Sequence, residues 1–138
     1  MNTPTATILI VDDEPQNRKL LEAVLQPGGY ATLSVASGEE ALASIAQRQP
    51  DLILLDIMMP GMDGYEVAGI LKADPATSNI PVIMVTAQAD RAARLASLTA
   101  GAEDILAKPI DRAELWLKIR NLLRLRASSE DGLLQHAP

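Results

Sequence analysis

Three aspartates, a threonine and a lysine occupy matching places in this sequence. Each follows directly on an apolar run: "ILIV" leads into Asp12 and Asp13, "LILL" into Asp56, "VIMV" into Thr86 and "ILA" into Lys108. Three carboxylates gathered in one crevice repel by about 4 kcal/mol per pair at an effective dielectric near 20. Such a cluster must hold protons or recruit a cation. Oxygen ligands without histidine or cysteine select a hard cation, and Mg2+ suits a site that also handles phosphate. A carboxylate can attack phosphorus to give an acyl phosphate. The charge that collects there calls for a metal, an ammonium and a hydroxyl donor. The set therefore points to phosphoryl transfer onto an aspartate. Singly, each residue has an ordinary role: Asp12, Asp13 or Asp56 as a cap, Thr86 as a strand residue, Lys108 as solvated surface. At one edge of one sheet, those ordinary roles no longer account for them together.

The elements that would bring them to one edge are legible in the apolar pattern. "TILIV" (7–11), "DLILL" (51–55) and "PVIMV" (81–85) are nearly continuous, as in strands buried on both faces. "YATLSV" (30–35) alternates, as in a strand nearer an edge, and "DILA" (104–107) is short. Helical spacing fills the gaps. Leu20, Leu21, Val24 and Leu25 share one face, Ala41, Leu42, Ile45 and Ala46 a second, and Val67, Ile70 and Leu71 a third. Leu95 and Leu98 mark a weaker fourth, and Leu115, Ile119, Leu122 and Leu123 a fifth. Ser37 with Glu40, Asp63 with Glu66 and Asp111 with Glu114 fit capping boxes, and Pro15 fits a first helical position. Strand and helix alternate five times. This predicts an α/β fold, a doubly wound parallel sheet whose carboxyl edge carries the site. Asp56 is expected at the rim of that sheet rather than inside. The domain is expected to span residues 5–126, with 127–138 a tail or truncated linker.

Composition narrows the function classes. The chain has 138 residues, 48% apolar, which suits one domain. Aromatics are 2%, with no Phe, leaving no platform for stacking bases, and the net charge of -6 argues against direct nucleic-acid binding. No Cys is present, and the one His, His136, is near the end, which argues against thiolate or imidazole metal sites. No apolar run approaches a membrane span, and "MNTPTAT" has no signal-peptide core, so a cytoplasmic protein is expected.

"ILIVDDEP", "DLILLDIMMPGMDG", "PVIMVTA" and "GAEDILAKPI" together resemble the receiver domain of two-component response regulators, a likeness that covers residues 7 to about 126. The resemblance implies a flavodoxin-like (βα)5 sheet in the order 2-1-3-4-5. It implies that Asp56 accepts phosphoryl from a histidine kinase or phosphotransfer protein. Asp13 would bind Mg2+ directly and Asp12 partly through water, with Asp56 and the Met58 backbone carbonyl completing the protein's share. Thr86 would hydrogen-bond the phosphoryl group, Lys108 would pair with it, and Ala87 is the small residue beside it. The Lys108–Pro109 bond would be cis. The family usually couples the threonine to an aromatic on the fifth strand; here that switch position is Ile105. The family's output face implies a fourth helix, fifth strand and fifth helix that contact a downstream protein or output domain, or a second copy. Trp116 and Leu117 in the fifth helix could support dimer contact, though Trp116 also suits the core. Met58 and Gln88 flank the acceptor, and the bulk of Met58 is expected to screen an aspartyl phosphate from water.

Other readings differ in kind. The chain can be the receiver fragment of a longer regulator, for example one with a cyclic-di-GMP synthesis or hydrolysis domain, or of a hybrid kinase. A haloacid-dehalogenase-like phosphatase would need an acid two residues after the nucleophile, where Met58 stands. A nucleotide-binding fold would need a glycine-rich first turn, where "DDEPQN" stands. A degenerate, unphosphorylated module would not need the intact acids, Thr86 and Lys108. The expectation is a non-enzyme that catalyses only its own aspartyl phosphorylation and dephosphorylation.

Overall fold

The computed structural model describes residues 5–136, with side chains described through residue 127. The elements run β1 (Thr7–Val11), α1 (Pro15–Leu25), β2 (Ala31–Val35), α2 (Gly38–Gln47), β3 (Leu52–Asp56), α3 (Gly64–Ala73), β4 (Val82–Thr86), α4 (Arg91–Ala100), β5 (Asp104–Ala107) and α5 (Arg112–His136), with a 3-10 turn at Gln26–Gly28. All strand pairs are parallel, in the order β2-β1-β3-β4-β5. The order reverses between β1 and β3, so a crevice opens at their carboxyl ends.

Side chains alternate across the sheet and build two cores. Ile8, Ile10, Leu52, Leu54, Ile83, Val85 and Leu106 pack against α1 and α5 through Leu21, Leu25, Leu115 and Ile119. Leu9, Val11, Ile53, Leu55, Val82 and Met84 pack on the other face against Ala41, Ile45, Val67 and Leu71 of α2 and α3. The continuous runs are thus buried on both sides, while β2 is half-exposed, as befits an edge. Trp116 joins the α1–α5 core, and its indole N–H donates to the Val24 carbonyl at 2.9 Å.

The capping pattern holds at its three sites: Ser37 accepts from Glu40 N–H, Asp63 from Glu66 N–H, and Asp111 from Glu114 N–H. A fourth cap, Asp90 accepting from Ala93 N–H, was not anticipated, because no Glu or Gln stands three residues on to complete a box.

One expectation, about helix faces, is corrected. Leu20, Ile70, Ala46, Leu95 and Leu98 do not join the buried faces assigned to them; they are exposed. The departure is largest in α4, whose inner face is Ala93, Ala96, Ser97 and Ala100, an i, i+3, i+4, i+7 set, with both leucines outside. Spacing defines a face but not its direction, and small residues let α4 lie close to the sheet. The fifth helix continues past Arg126 to His136, so the segment expected to be a tail or truncated linker is helical through residue 136. No proline interrupts residues 127–136, so the backbone has nothing that would force a stop. Arg126 itself donates to the Asp51 carbonyl at 3.0 Å, holding α5 against the start of β3.

Candidate functional site

The alternation that builds the two cores also aims the polar residues. Carried past the strand ends, the parity of Ile8 and Ile10 gives Asp12, that of Leu52 and Leu54 gives Asp56, and that of Leu106 gives Lys108. The structure brings these three together. Lys108 Nζ lies 3.2 Å from Asp12 Oδ2 and 3.7 Å from Asp56 Oδ1. Asp13 completes the cluster, with one carboxylate oxygen from each of Asp12, Asp13 and Asp56 within 4.8 Å of the others.

Asp12 is 1% exposed and is held by a hydrogen bond from Glu14 N–H at 2.9 Å. Asp56 is the last residue of β3 and is 5% exposed, which corrects the expectation that it stands at the rim rather than inside. Its strand places it at the sheet's carboxyl edge, but the β3–α3 turn folds over it: Gly64 N–H donates to the Ile57 carbonyl at 2.9 Å and closes the loop. Asp56 Oδ1 accepts from Met58 N–H at 3.3 Å. Burial pushes the Asp56 carboxyl up to about 6, and the Asp12 and Asp13 charges add to that; Lys108 and the Met58 N–H oppose it.

The tight turn depends on a glycine whose role the sequence pattern did not disclose. A Cβ on Gly64 would sit 2.5 Å from the Asp56 carbonyl oxygen and 2.8 Å from Ile57 Cα. Both are backbone atoms and cannot swing aside. Gly64→Ala is expected to lower stability by about 3 kcal/mol, seen as a lower urea midpoint at unchanged slope. A midpoint equal to the parent's would mean that the turn relaxes freely.

Thr86 has the opposite parity. It is buried at the end of β4, on the α3–α4 side, and its Oγ1 accepts from Gln88 N–H at 3.3 Å. Thr86 pairs with Ala107 and Met84 with Ile105, so Ile105 lies diagonal to Thr86 on the same face. Thr86, Ala87, Gln88, Met58, Tyr65, Ala92, Ala93 and Ala96 line a groove of about 600 Å³ beside the acidic cluster. The Lys108–Pro109 bond is cis. Arg18, which the sequence pattern did not single out, donates to the Asp12 carbonyl at 2.8 Å from the first turns of α1. Its only sequence signal is its place one turn past Pro15.

Residues 8–120 match the family described as the response regulator receiver domain. The chain belongs to this family. This receiver is 47% identical over 122 residues to the response regulator PleD of Caulobacter vibrioides, covering 88% of the chain and 27% of that protein. Among solved structures, a putative response regulator from Chloroflexus aurantiacus superposes with a TM-score of 0.85 at 41% identity, covering 88% of this chain and 99% of the other. The receiver domain of the sensor histidine kinase PA1611 from Pseudomonas aeruginosa superposes with a TM-score of 0.80 at 36% identity, covering 87% and 98%; that structure has a magnesium ion in its active-site cleft. The receiver spans from about a quarter to about half of the length of the curated relatives it matches. Its five-stranded sheet and helix order are those of the flavodoxin-like receiver fold. Receiver domains bind Mg2+ in an acidic pocket, and an all-carboxylate set this close together fits a hard dication. No helix among the described residues is long and apolar enough to cross a membrane.

Proposed function

We propose that Asp56 accepts a phosphoryl group from a histidine kinase or phosphotransfer protein, and that Thr86 and Ile105 relay the change to an interaction surface. The observation that carries this reading is a buried aspartate placed beside two further carboxylates and within reach of a lysine that also holds one of them. Asp12, Asp13, Asp56 and the backbone carbonyl of Met58 are the groups that would hold Mg2+. When bound, the ion supplies positive charge against the acids and the incoming phosphoryl oxygens.

An Asp56 carboxylate oxygen attacks phosphorus as the bond from phosphorus to the donor's nitrogen breaks. Lys108 is already positioned between Asp12 and Asp56 and offsets the added charge. The Thr86 hydroxyl turns from its Gln88 contact to donate to the phosphoryl group. Its departure leaves space beside Ile105, which has no ring to rotate, so the relay works by repacking of an aliphatic side chain and α4. The face that reads this change is α4, β5 and α5, where Leu95 and Leu98 of α4 are exposed. It would bind a downstream protein or output domain, or a second copy of the chain. The chain would act in the cytoplasm, and its only chemistry would be on its own aspartate.

A second reading treats residues 5–126 as the receiver of a longer regulator or hybrid kinase and 127–138 as its linker. The uninterrupted course of α5 to His136 supports it. Both readings share one test. Mg2+ with beryllofluoride, a phosphoryl mimic, is expected to shift the amide resonances of Asp56 to Met58, Thr86 to Gln88 and Lys108, and EDTA is expected to reverse the shifts. Spectra unchanged around Asp56 would overturn the assignment and favour a degenerate binding module.

A further inference from the structure

Among the described residues there are four methionines, and they differ sharply in exposure. Met59 and Met84 are buried and Met62 is intermediate, whereas Met58 is 74% exposed. Met58 is also the one closest to the chemistry. Its backbone N–H is bonded to Asp56 Oδ1, and its side chain forms a wall of the groove shared with Tyr65, Thr86, Ala87 and Gln88. The chain has no cysteine, so thioethers are its readiest targets for two-electron oxidants.

We propose that Met58 is an oxidation site through which hydroperoxides shorten the life of the phosphorylated state. This rests on Asp56 as the acceptor. The Met58 sulfur attacks the outer oxygen of a hydroperoxide. An S–O bond forms and the O–O bond breaks, and water leaves when the oxidant is hydrogen peroxide. The thioether loses two electrons and the peroxide gains them. The product sulfoxide is polar and reducible by thiol-dependent enzymes. In the reduced form, the apolar thioether at the groove that Thr86 and Ala87 also line gives water no strong hydrogen-bond acceptor there. In the oxidised form, the sulfoxide oxygen accepts hydrogen bonds and holds water where it can attack phosphorus. The backbone N–H of Met58, which holds Asp56 Oδ1, is untouched by oxidation of the side chain. The effect is therefore on hydrolysis rate and not on whether the aspartate is labelled.

The test uses the full chain. Protein is labelled with acetyl phosphate and Mg2+, freed of donor, and its dephosphorylation followed before and after mild hydrogen peroxide treatment, with the oxidised residue mapped by peptide mass spectrometry. Sulfoxide is expected at residue 58 ahead of 59, 62 and 84, with severalfold faster loss of phosphoryl. In Met58→Leu, peroxide is expected to leave the rate of loss as it was. Equal rates in oxidised and reduced protein would overturn the proposal, as would acceleration that persists in Met58→Leu. If the untreated protein takes up no label, the acceptor reading itself fails, and that outcome is distinct from a label whose lifetime ignores peroxide.

Discussion

Asp56→Asn is expected to reduce acid-labile labelling by acetyl phosphate or a cognate kinase to the background of the assay. The amide keeps the shape of the side chain and its contact with Met58 N–H, but it has no anionic oxygen to attack phosphorus. The neighbouring acids are poor substitutes. Asp12 is buried with one oxygen bound to Glu14 N–H and the other against Lys108, so its oxygens are committed. Asp13 shares the cluster but is less buried than Asp12 and Asp56, and the Lys108 ammonium sits between those two. The check is intact-protein mass spectrometry with and without hydroxylamine, which cleaves acyl phosphates. Full labelling of the variant would sink the assignment of Asp56.

The same substitution is expected to make the metal-free protein more stable at neutral pH. The charged groups facing Asp56 are Asp12 and Asp13 from the end of β1 and Lys108 from the end of β5. Two of the three repel it, and burial disfavours its charge further. The folded carboxyl titrates near 6 and the unfolded one near its ordinary value of 3.8. Between these values the native state binds the extra proton, so stability falls as pH rises through the window and stays low above it. The cost of holding Asp56 ionised is about 2–3 kcal/mol at pH 7.5. In EDTA, urea midpoints of Asp56→Asn should exceed the parent's by a corresponding margin at pH 7.5, and the gap should narrow toward pH 5. A variant less stable than its parent at pH 7.5 would show that Lys108 and the Met58 N–H outweigh repulsion and burial.

The two predictions turn on different kinds of legibility. That Asp12, Asp56, Thr86 and Lys108 meet at one edge could be read from apolar runs ending in polar residues, because strand order and parity do the rest. The depth of Asp56 could not. It depends on the β3–α3 turn, and that turn depends on Gly64, whose requirement is a close approach between backbone segments that are distant in pattern though near in space. Thr86 shares the edge but faces the other way, toward α4, which only the strand register discloses. The helices were found from spacing, and three of their caps from side-chain type. The direction of α4 was not found, because a helix made largely of alanine gives its few leucines undue weight in any periodicity. The course of α5 was not legible for a related reason: residues 127–136 carry no regular apolar period and include Gly132, which weakens a helix, yet no proline stops the backbone.

The inverted packing of α4 has a consequence for how small a stimulus this molecule can register. Detaching α3 would uncover Val67, Ala68 and Leu71; detaching α4 would uncover chiefly the methyls of Ala93, Ala96 and Ala100. At about 0.8 kcal/mol per buried methylene-sized group, the side chains of α4 itself contribute only a few kcal/mol to its seating. Ser97 Oγ, buried in that face, has no hydrogen-bond partner among the described residues and adds no polar tether. One charge-assisted hydrogen bond contributes about 1.5–3 kcal/mol. Moving a two-state equilibrium from one part in a hundred to ninety-nine takes about 5.5 kcal/mol. A helix seated on alanines lies within the range that one or two new bonds to an anion can tip, and a helix seated on leucine and valine does not.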